Sequence, residues 1–187
     1  FIDDDGTPYL YYARVGSTGS PYATPPTGYM YGLIHAVQLS DDLLELVGEP
    51  VMVQQAEQEW EDPQSMFSRC NEGAFVIKHG DVYSMTYSAG HYAKPNYGIG
   101  VATATHPLGP WTKSEANPIA QTIPEMKISA PGHNSITTSP DGTELFIVYH
   151  ARAAAPDERA PRVVFIDRLS FDDEGNLVLH GPTLTPQ

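Results

Sequence analysis

An acidic side chain stands directly before one of the apolar strands that the sequence predicts. Glu72 precedes Gly73 in the segment 71–78, which reads NEGAFVIK. Burial beside apolar residues makes a carboxylate costly unless its charge is used, and carboxyls in such surroundings are frequent at functional sites. A carboxyl placed there can transfer a proton in a reaction. An ordinary surface glutamate at a strand end is the alternative interpretation.

The single cysteine of the chain, Cys70, is a weaker candidate for chemistry. No histidine lies near it in sequence, so we interpret it as a small buried hydrophobic residue rather than a nucleophile. One cysteine also excludes an internal disulfide.

The charge of the chain limits its partners. The sequence has 23 acidic residues against 10 Lys and Arg, a net charge of −13, and nucleic acid and anionic membranes would both be repelled. No apolar run approaches the roughly 20 residues of a membrane span, and no signal peptide is recognisable. The location therefore stays open between cytoplasm and secretion. Because the chain begins with Phe1 rather than Met, we expect an upstream part.

A turn followed by alternating apolar and aromatic residues recurs along the chain, in the segments 5–13, 80–89 and 141–151. This alternation predicts strands. Further strands are predicted at 32–39, 49–53, 73–78, 97–104, 109–113, 133–139, 162–169 and 175–179. Four antiparallel strands repeated at intervals of about 60 to 75 residues are typical of the blades of a β-propeller.

We therefore predict an all-β fold, a β-propeller of four-stranded antiparallel blades. About three blades are present, at approximately residues 1–58, 68–120 and 128–187, forming a single partial domain, and three blades cannot close a ring. The segment 16–31 is interpreted as an exposed loop. The acidic segment 54–64 is interpreted as a solvated connector that could include a turn of helix.

Several of these segments together resemble glycoside hydrolase family 43, whose members are five-bladed propellers that cleave arabinofuranosides and xylosides. The matching segments, in the order that the family has them, are 1–6 with Tyr9 and Leu10, then 71–73, 97–104, 107–111, 130–135, 149–151 and Arg162. The resemblance covers nearly the whole chain and corresponds to the last three blades of the family.

The resemblance implies an inverting hydrolase with carboxylic acids at the propeller axis. An inverting glycosidase needs an acid for the leaving oxygen and a base for a water, with the two carboxyls about 6.5–9.5 Å apart. Glu72 matches the general acid, although the family usually has Pro where this chain has Ala74. The general base and the Asp that tunes the pKa of the acid are expected upstream of Phe1. Asp3, Asp4 and Asp5 are interpreted as a hairpin turn.

The resemblance also implies two substrate-binding residues. His133 matches a histidine near the sugar that, in many members, helps to hold a structural Ca²⁺ at the axis, although calcium prefers oxygen ligands. Arg162 matches an arginine of the substrate subsite, and a rim ion pair with Asp157 or Glu158 is the alternative. His150 is interpreted as structural. The aromatic residues that could face a sugar, or else belong to blade cores, are Trp60, Phe67, Tyr92 and Tyr97.

The function predicted by this resemblance is inverting hydrolysis of α-L-arabinofuranosyl or β-D-xylosyl linkages, with no required cofactor and a carbohydrate as partner. A catalytically incomplete propeller piece that binds carbohydrate or serves as structure is the alternative. A related five-bladed family that retains configuration on fructosides is disfavoured, since its nucleophile lies in the first blade. Missing blades or another chain are expected to complete the site, and the 187-residue chain alone is expected to show only background activity.

Overall fold

The computed structural model describes residues 1–16, 31–65, 69–156 and 160–185. Strands dominate the described residues, and the helical elements among them are two short 3-10 turns, Glu59–Glu61 and Pro124–Met126. The prediction of an all-β fold is thereby confirmed. No helix in these ranges is long and apolar enough to cross a membrane.

The first group of strands is a three-stranded antiparallel sheet. Its members are β1 (Tyr9–Gly16), β2 (Tyr31–Leu39) and β3 (Leu46–Gln54), with β2 in the middle. The turn before β1 contains Asp3, Asp4 and Asp5, as predicted; the Asp5 carboxylate accepts the backbone N–H of Thr7 at 2.9 Å. Asp3 additionally accepts from the side chains of Lys78 and Tyr83, which ties this turn to the next group.

The second group is a four-stranded antiparallel blade. It consists of β4 (Arg69–His79), β5 (Val82–Ala89), β6 (Gly98–Ala104) and β7 (Thr112–Lys113). A short parallel pairing of Tyr31 and Gly32 with Arg69 and Cys70 joins it to β2, so the first two groups form one seven-stranded sheet. The predicted strand 109–113 shrinks to two residues because Gly109 has a φ of +89° and Pro110 has no N–H to donate.

The third group is a separate four-stranded antiparallel sheet with the order β11-β10-β9-β8. Its strands are β8 (Ser129–Thr138), β9 (Leu145–Arg152), β10 (Arg162–Phe171) and β11 (Leu177–His180). The first strand β8 is irregular, with breaks in register between Ser129 and Gly132 and between Gly132 and Ser135. Such bulges turn side chains in new directions, and here they aim the residues around His133.

Two apolar cores hold the groups together. One combines Ile99 of β6 with Ile128, which directly precedes β8, and with Ile147 and Tyr149 of β9. The other combines Ile34 of β2 with Met85 and Tyr87 of β5. Burying each such side chain contributes about 1.5–3 kcal/mol to the stability of the fold. Because each core contains residues of two groups, this burial holds the groups together.

The connector between the first two groups differs from the prediction in one respect. Its helical turn is present as the 3-10 turn Glu59–Glu61, but Glu61 is fully buried rather than solvated. The Glu61 carboxylate forms an ion pair with Lys113 of β7, with Nζ–O distances of 2.6 and 2.7 Å. It also accepts the backbone N–H groups of Glu57 and Gln58 and the side-chain amide of Asn71. A buried carboxylate is tolerated because all of these donors converge on it.

Candidate active site

Glu72 lies on β4 at an irregular point of the strand. Glu72 pairs with Ser88 of β5, and the register then shifts before Phe75. Gly73, inside this irregularity, has a φ of +61°, a conformation that side chains with a Cβ rarely adopt. The Glu72 side chain is about a quarter exposed. Its carboxylate is therefore held by the strand while one side of it stays open to solvent.

A buried tyrosine holds the Glu72 carboxylate through a hydrogen bond. The hydroxyl of Tyr97, which directly precedes β6, donates a hydrogen bond to Glu72 Oε1 at 2.8 Å. Tyr97 is 1% exposed, and burial together with the nearby Glu72 charge raises the pKa of its hydroxyl, so it remains a donor. Its ring fits because Gly132 has no side chain: a Cβ there would overlap the ring.

His133 approaches Glu72 from β8. Its Nδ1 lies 4.0 Å from Glu72 Oε1, too far for a hydrogen bond, and its side chain is 59% exposed. The backbone is held in the left-handed region, with φ of +54°, and its N–H donates to Ser88 Oγ at 2.6 Å. The ring also packs close to Gly73, where an added Cβ would lie 3.4 Å away. His133 and Glu72 thus present adjacent polar groups to solvent.

Arg162, the first residue of β10, joins this group through His150 of β9. Its Nη1 lies 3.3 Å from His150 Nε2, and its guanidinium lies 5.5 Å from the centre of the Tyr92 ring. The His150 ring in turn stacks on Tyr97, with ring centres 5.9 Å apart and planes inclined by 10°. The alternative partners Asp157 and Glu158, like Phe67, lie outside the described residues.

These contacts link the three residues singled out in the sequence, Glu72, His133 and Arg162, into one cluster. We call the six residues joined by these contacts the polar cluster: Glu72, Tyr92, Tyr97, His133, His150 and Arg162. The sequence reasoning placed Tyr97 only among possible sugar-facing aromatics and interpreted His150 as structural. In the structure these two are the links between the acid and the arginine. Trp60 lies elsewhere, against Tyr87.

The electrostatics of the cluster keep His150 uncharged. Burial, followed by the positive charge of Arg162 and the proximity of His133 and Arg152, lowers the pKa of His150 to about 4. A guanidinium has donors only, so the Nε2 that faces Arg162 must be the acceptor nitrogen of a neutral ring. Arg162 is thereby held without a competing positive charge.

The cluster does not provide the ligand set of a calcium site. Calcium takes about six to eight oxygen ligands, whereas the neighbouring side chains His133 and Glu72 offer one ring nitrogen and one carboxylate. Within the described ranges, no three His, Cys, Asp or Glu side chains are grouped so that they could hold a metal ion. A structural Ca²⁺ held with the help of His133 therefore stays a prediction.

Cys70 lies near the cluster, is partly buried and has a thiol that is hard to deprotonate. Burial, reinforced by the negative charge of Glu72, raises the pKa of the thiol to about 12. Its sulfur fills the space beside Gly32, where an added Cβ would overlap it. This arrangement agrees with the interpretation of Cys70 as a small packing residue.

We expect Cys70 to resist alkylation in the folded protein. Since the thiolate is the reacting species, a raised pKa together with burial should slow the reaction with iodoacetamide at least about 100-fold relative to urea-unfolded protein. Mass spectrometry of the peptide that contains Cys70, after timed labelling at mildly alkaline pH, measures this ratio. Equal rates in the folded and unfolded protein would show that the thiol is accessible and that its environment has been misjudged.

Comparison with solved structures gives close matches. The crystal structure of a thermostable family-43 glycoside hydrolase is 47% identical, with a TM-score of 0.86 over 100% of this chain and 58% of that chain. An endo-1,4-beta-xylanase structure from Bacteroides thetaiotaomicron is 31% identical, with a TM-score of 0.78 over 97% of this chain and 57% of that chain. The chain is thus similar to a little more than half of each of these proteins, and its fold is that of a partial propeller.

Curated relatives and the family model agree with the structures. A beta-D-galactofuranosidase from Aspergillus niger is 29% identical over 95% of this chain and 43% of its own length. An extracellular exo-alpha-(1->5)-L-arabinofuranosidase from Streptomyces avermitilis is 36% identical over 56% of this chain and 22% of its own length. The chain therefore spans less than half the length of these relatives. Because the model of glycosyl hydrolases family 43 matches residues 1–177, the chain belongs to that family.

Proposed function

We propose that this chain forms part of a glycoside hydrolase that cleaves α-L-arabinofuranosyl or β-D-xylosyl linkages with inversion. The observation that carries the proposal is the polar cluster, in which the Glu72 carboxylate lies 4.0 Å from the His133 ring and is linked to Arg162 through Tyr97 and His150. A proton donor, an open rim and a cationic donor group for sugar hydroxyls are then within one site.

In the proposed reaction, Glu72 protonates the oxygen that leaves the sugar. A carboxylic acid placed within hydrogen-bond reach of that oxygen can supply this proton. Arg162 and His133, both exposed, bind hydroxyls of the sugar, and the planar fork of donors on Arg162 suits this task. Tyr97 fixes the Glu72 carboxylate through its 2.8 Å hydrogen bond, so that the acid keeps one orientation.

The general base and the Asp that tunes the acid are assigned to the rest of a longer protein. The polar cluster contains one carboxylate, whereas an inverting mechanism needs two on opposite faces of the sugar. Exposed apolar side chains in the first and last groups favour further blades on both sides: Val51 and Met52 on β3, and Val164 and Ile166 on β10, are 42–71% exposed. A carbohydrate-binding or structural role for this chain alone is the second candidate, favoured by the single carboxylate.

The test compares the 187-residue chain with the full-length protein that contains it. We expect the full-length protein to hydrolyse 4-nitrophenyl α-L-arabinofuranoside or β-D-xyloside and the shorter chain to show background rates, because one half of an acid–base pair is worth only about 10²–10⁴-fold. Proton NMR of the first-formed sugar should show the inverted anomer. A full-length protein that binds xylo- or arabino-oligosaccharides without turnover would support the binding role instead.

A further inference from the structure

We propose that His150 is a positioning residue that fixes the guanidinium of Arg162 for the sugar and links it to Glu72 through Tyr97. The inference deepens the proposed function and rests on it, since it takes Arg162 as the residue that meets the substrate. His150 itself is not assigned a contact with the sugar.

The register of the last sheet places His150 and Arg162 on the same face. His150 of β9 is opposite Val164 of β10, and Arg162 is two residues from Val164 along the strand. Side chains two residues apart on a strand share a face, and such diagonal neighbours are within reach of long side chains. On its other side, β9 pairs with β8, where His150 is opposite Gly132. The same Gly132 leaves room for the Tyr97 ring, so His150 is placed between the tyrosine and the arginine.

The hydrogen-bonding state of His150 follows from its partners. Arg162 Nη1 lies 3.3 Å from Nε2 and can only donate, which places the ring proton on Nδ1. In the described part of the chain, Nδ1 is buried and has no hydrogen-bond partner. Because Nδ1 makes no hydrogen bond there, the contact of Nε2 with Arg162 is the polar interaction that orients the ring. The stack on Tyr97 fixes the plane of the ring.

Arg162 needs such a support because it is exposed at the beginning of its strand. An arginine side chain has many rotamers, and their loss on binding a sugar reduces affinity. The Arg162 guanidinium lies over the Tyr92 ring, 5.5 Å from the ring centre. This contact restrains the distance of the guanidinium from the ring but not the rotation of the guanidinium within its own plane. An acceptor at the edge of the guanidinium, His150 Nε2, restrains that rotation.

The charge state of His150 agrees with this role. Burial is the main cause that lowers the pKa of His150 to about 4. The groups that face it, Arg162 from β10, His133 from β8 and Arg152 on its own strand β9, act in the same direction. The ring is consequently a neutral acceptor near neutral pH, as the geometry requires.

The experiment measures kcat and KM of the full-length protein for the aryl glycoside that it cleaves, in four forms. Phenylalanine at this position keeps a flat ring for Tyr97 but removes the acceptor, and we expect His150→Phe to lower kcat/KM about 10- to 100-fold, mainly through KM. Glutamine can place an amide oxygen near the position of Nε2, so His150→Gln should recover most of the loss. Asparagine is too short to reach Arg162, and His150→Asn should resemble His150→Phe. Thermal unfolding of each variant identifies any that fails to fold. If either His150→Phe or His150→Asn fails, the other is compared with His150→Gln.

A double-mutant cycle decides whether His150 acts through Arg162. If it does, His150→Phe should change kcat/KM less than about twofold in an Arg162→Ala background, because coupled residues are not additive. Independent, additive losses would overturn the inference, as would an unaffected His150→Phe protein. If the unaltered protein cleaves no aryl glycoside, the proposed function fails by itself. The inference is then judged by ¹⁵N relaxation of the Arg162 Nε–Hε group, which should become more mobile in His150→Phe and would overturn the inference if unchanged.

Discussion

Replacement of Glu72 by glutamine in the full-length protein is expected to lower kcat about 10²- to 10⁴-fold for glycosides with poor leaving groups. Glutamine keeps the size of the side chain and can still accept the hydrogen bond that Tyr97 donates at 2.8 Å. It has no proton of suitable acidity for the leaving oxygen. The variant should therefore fold and bind as the unaltered protein does, and lose the chemical step.

The dependence on the leaving group gives the sharper readout. A 4-nitrophenolate leaves with little help from an acid, so Glu72→Gln should spare 4-nitrophenyl glycosides much more than oligosaccharides or alkyl glycosides. Glu115→Gln is the matched control, because Glu115 is exposed and outside the polar cluster, and it should leave kcat unchanged. An unaffected Glu72→Gln protein, or an equal loss for good and poor leaving groups, would show that the acid has been misassigned.

Many of the strands can be predicted from the sequence because the alternation of apolar and polar residues that indicates a strand lies within one short segment. The alternation in the segments 80–89 and 141–151 predicts strands with one face buried, and β5 and β9 lie there. Burial alternates along β9 as expected, whereas nearly every residue of β5 is buried. The parallel pairing of β2 with β4 could not be predicted in the same way. It joins residues that are adjacent in space through the packing of two groups, and no periodicity in either strand indicates its partner.

The residues of the candidate site also differ in how far the sequence predicts their roles. The family resemblance predicts roles for Glu72, His133 and Arg162. Tyr97 and His150 also lie in matching segments, but their places in the site come from contacts between blades. The stack of Tyr97 on His150 depends on the missing side chain of Gly132 and on the irregular register of β8. A signal was present in the segment 130–135, since a glycine within a strand can mark a close approach. The spacing of the sequence does not say what approaches.

Glu61 shows the opposite case, a residue whose sequence context predicts solvent. It lies among acidic residues in the segment 54–64, where a charge run is usually exposed, yet it is fully buried. The partner that makes this possible, Lys113, is 52 residues away. Burial alone would raise the pKa of the Glu61 carboxyl, but Lys113 and the backbone N–H groups of Glu57 and Gln58 hold it below its ordinary value.

Replacement of Lys113 by methionine is therefore expected to destabilise the protein by roughly 3–5 kcal/mol near pH 7, since it leaves a buried carboxylate without its counter-ion. Methionine fills similar space over the Tyr87 ring, which Lys113 Nζ now approaches to 5.0 Å, so the loss measures charge rather than volume. Urea denaturation of the full-length protein gives the change in the free energy of unfolding. The exposed ion pair of Arg168 with Glu144 serves as the control, and Glu144→Gln should cost less than about 1 kcal/mol.

Two further measurements separate charge from a general loss of packing. In the double variant Glu61→Gln/Lys113→Met the buried charge is gone, the oxygen of the introduced glutamine can accept the two backbone N–H groups, and Asn71 can turn its free Oδ1 toward the new amide. This variant should recover at least half of the loss. Without Lys113 the pKa of Glu61 rises above its unfolded value, so the carboxyl takes up a proton as the pH falls, and the deficit of Lys113→Met should shrink between about pH 7 and pH 5. A deficit that is independent of pH and persists in the double variant would mean that Lys113 stabilises the fold through packing and not through Glu61.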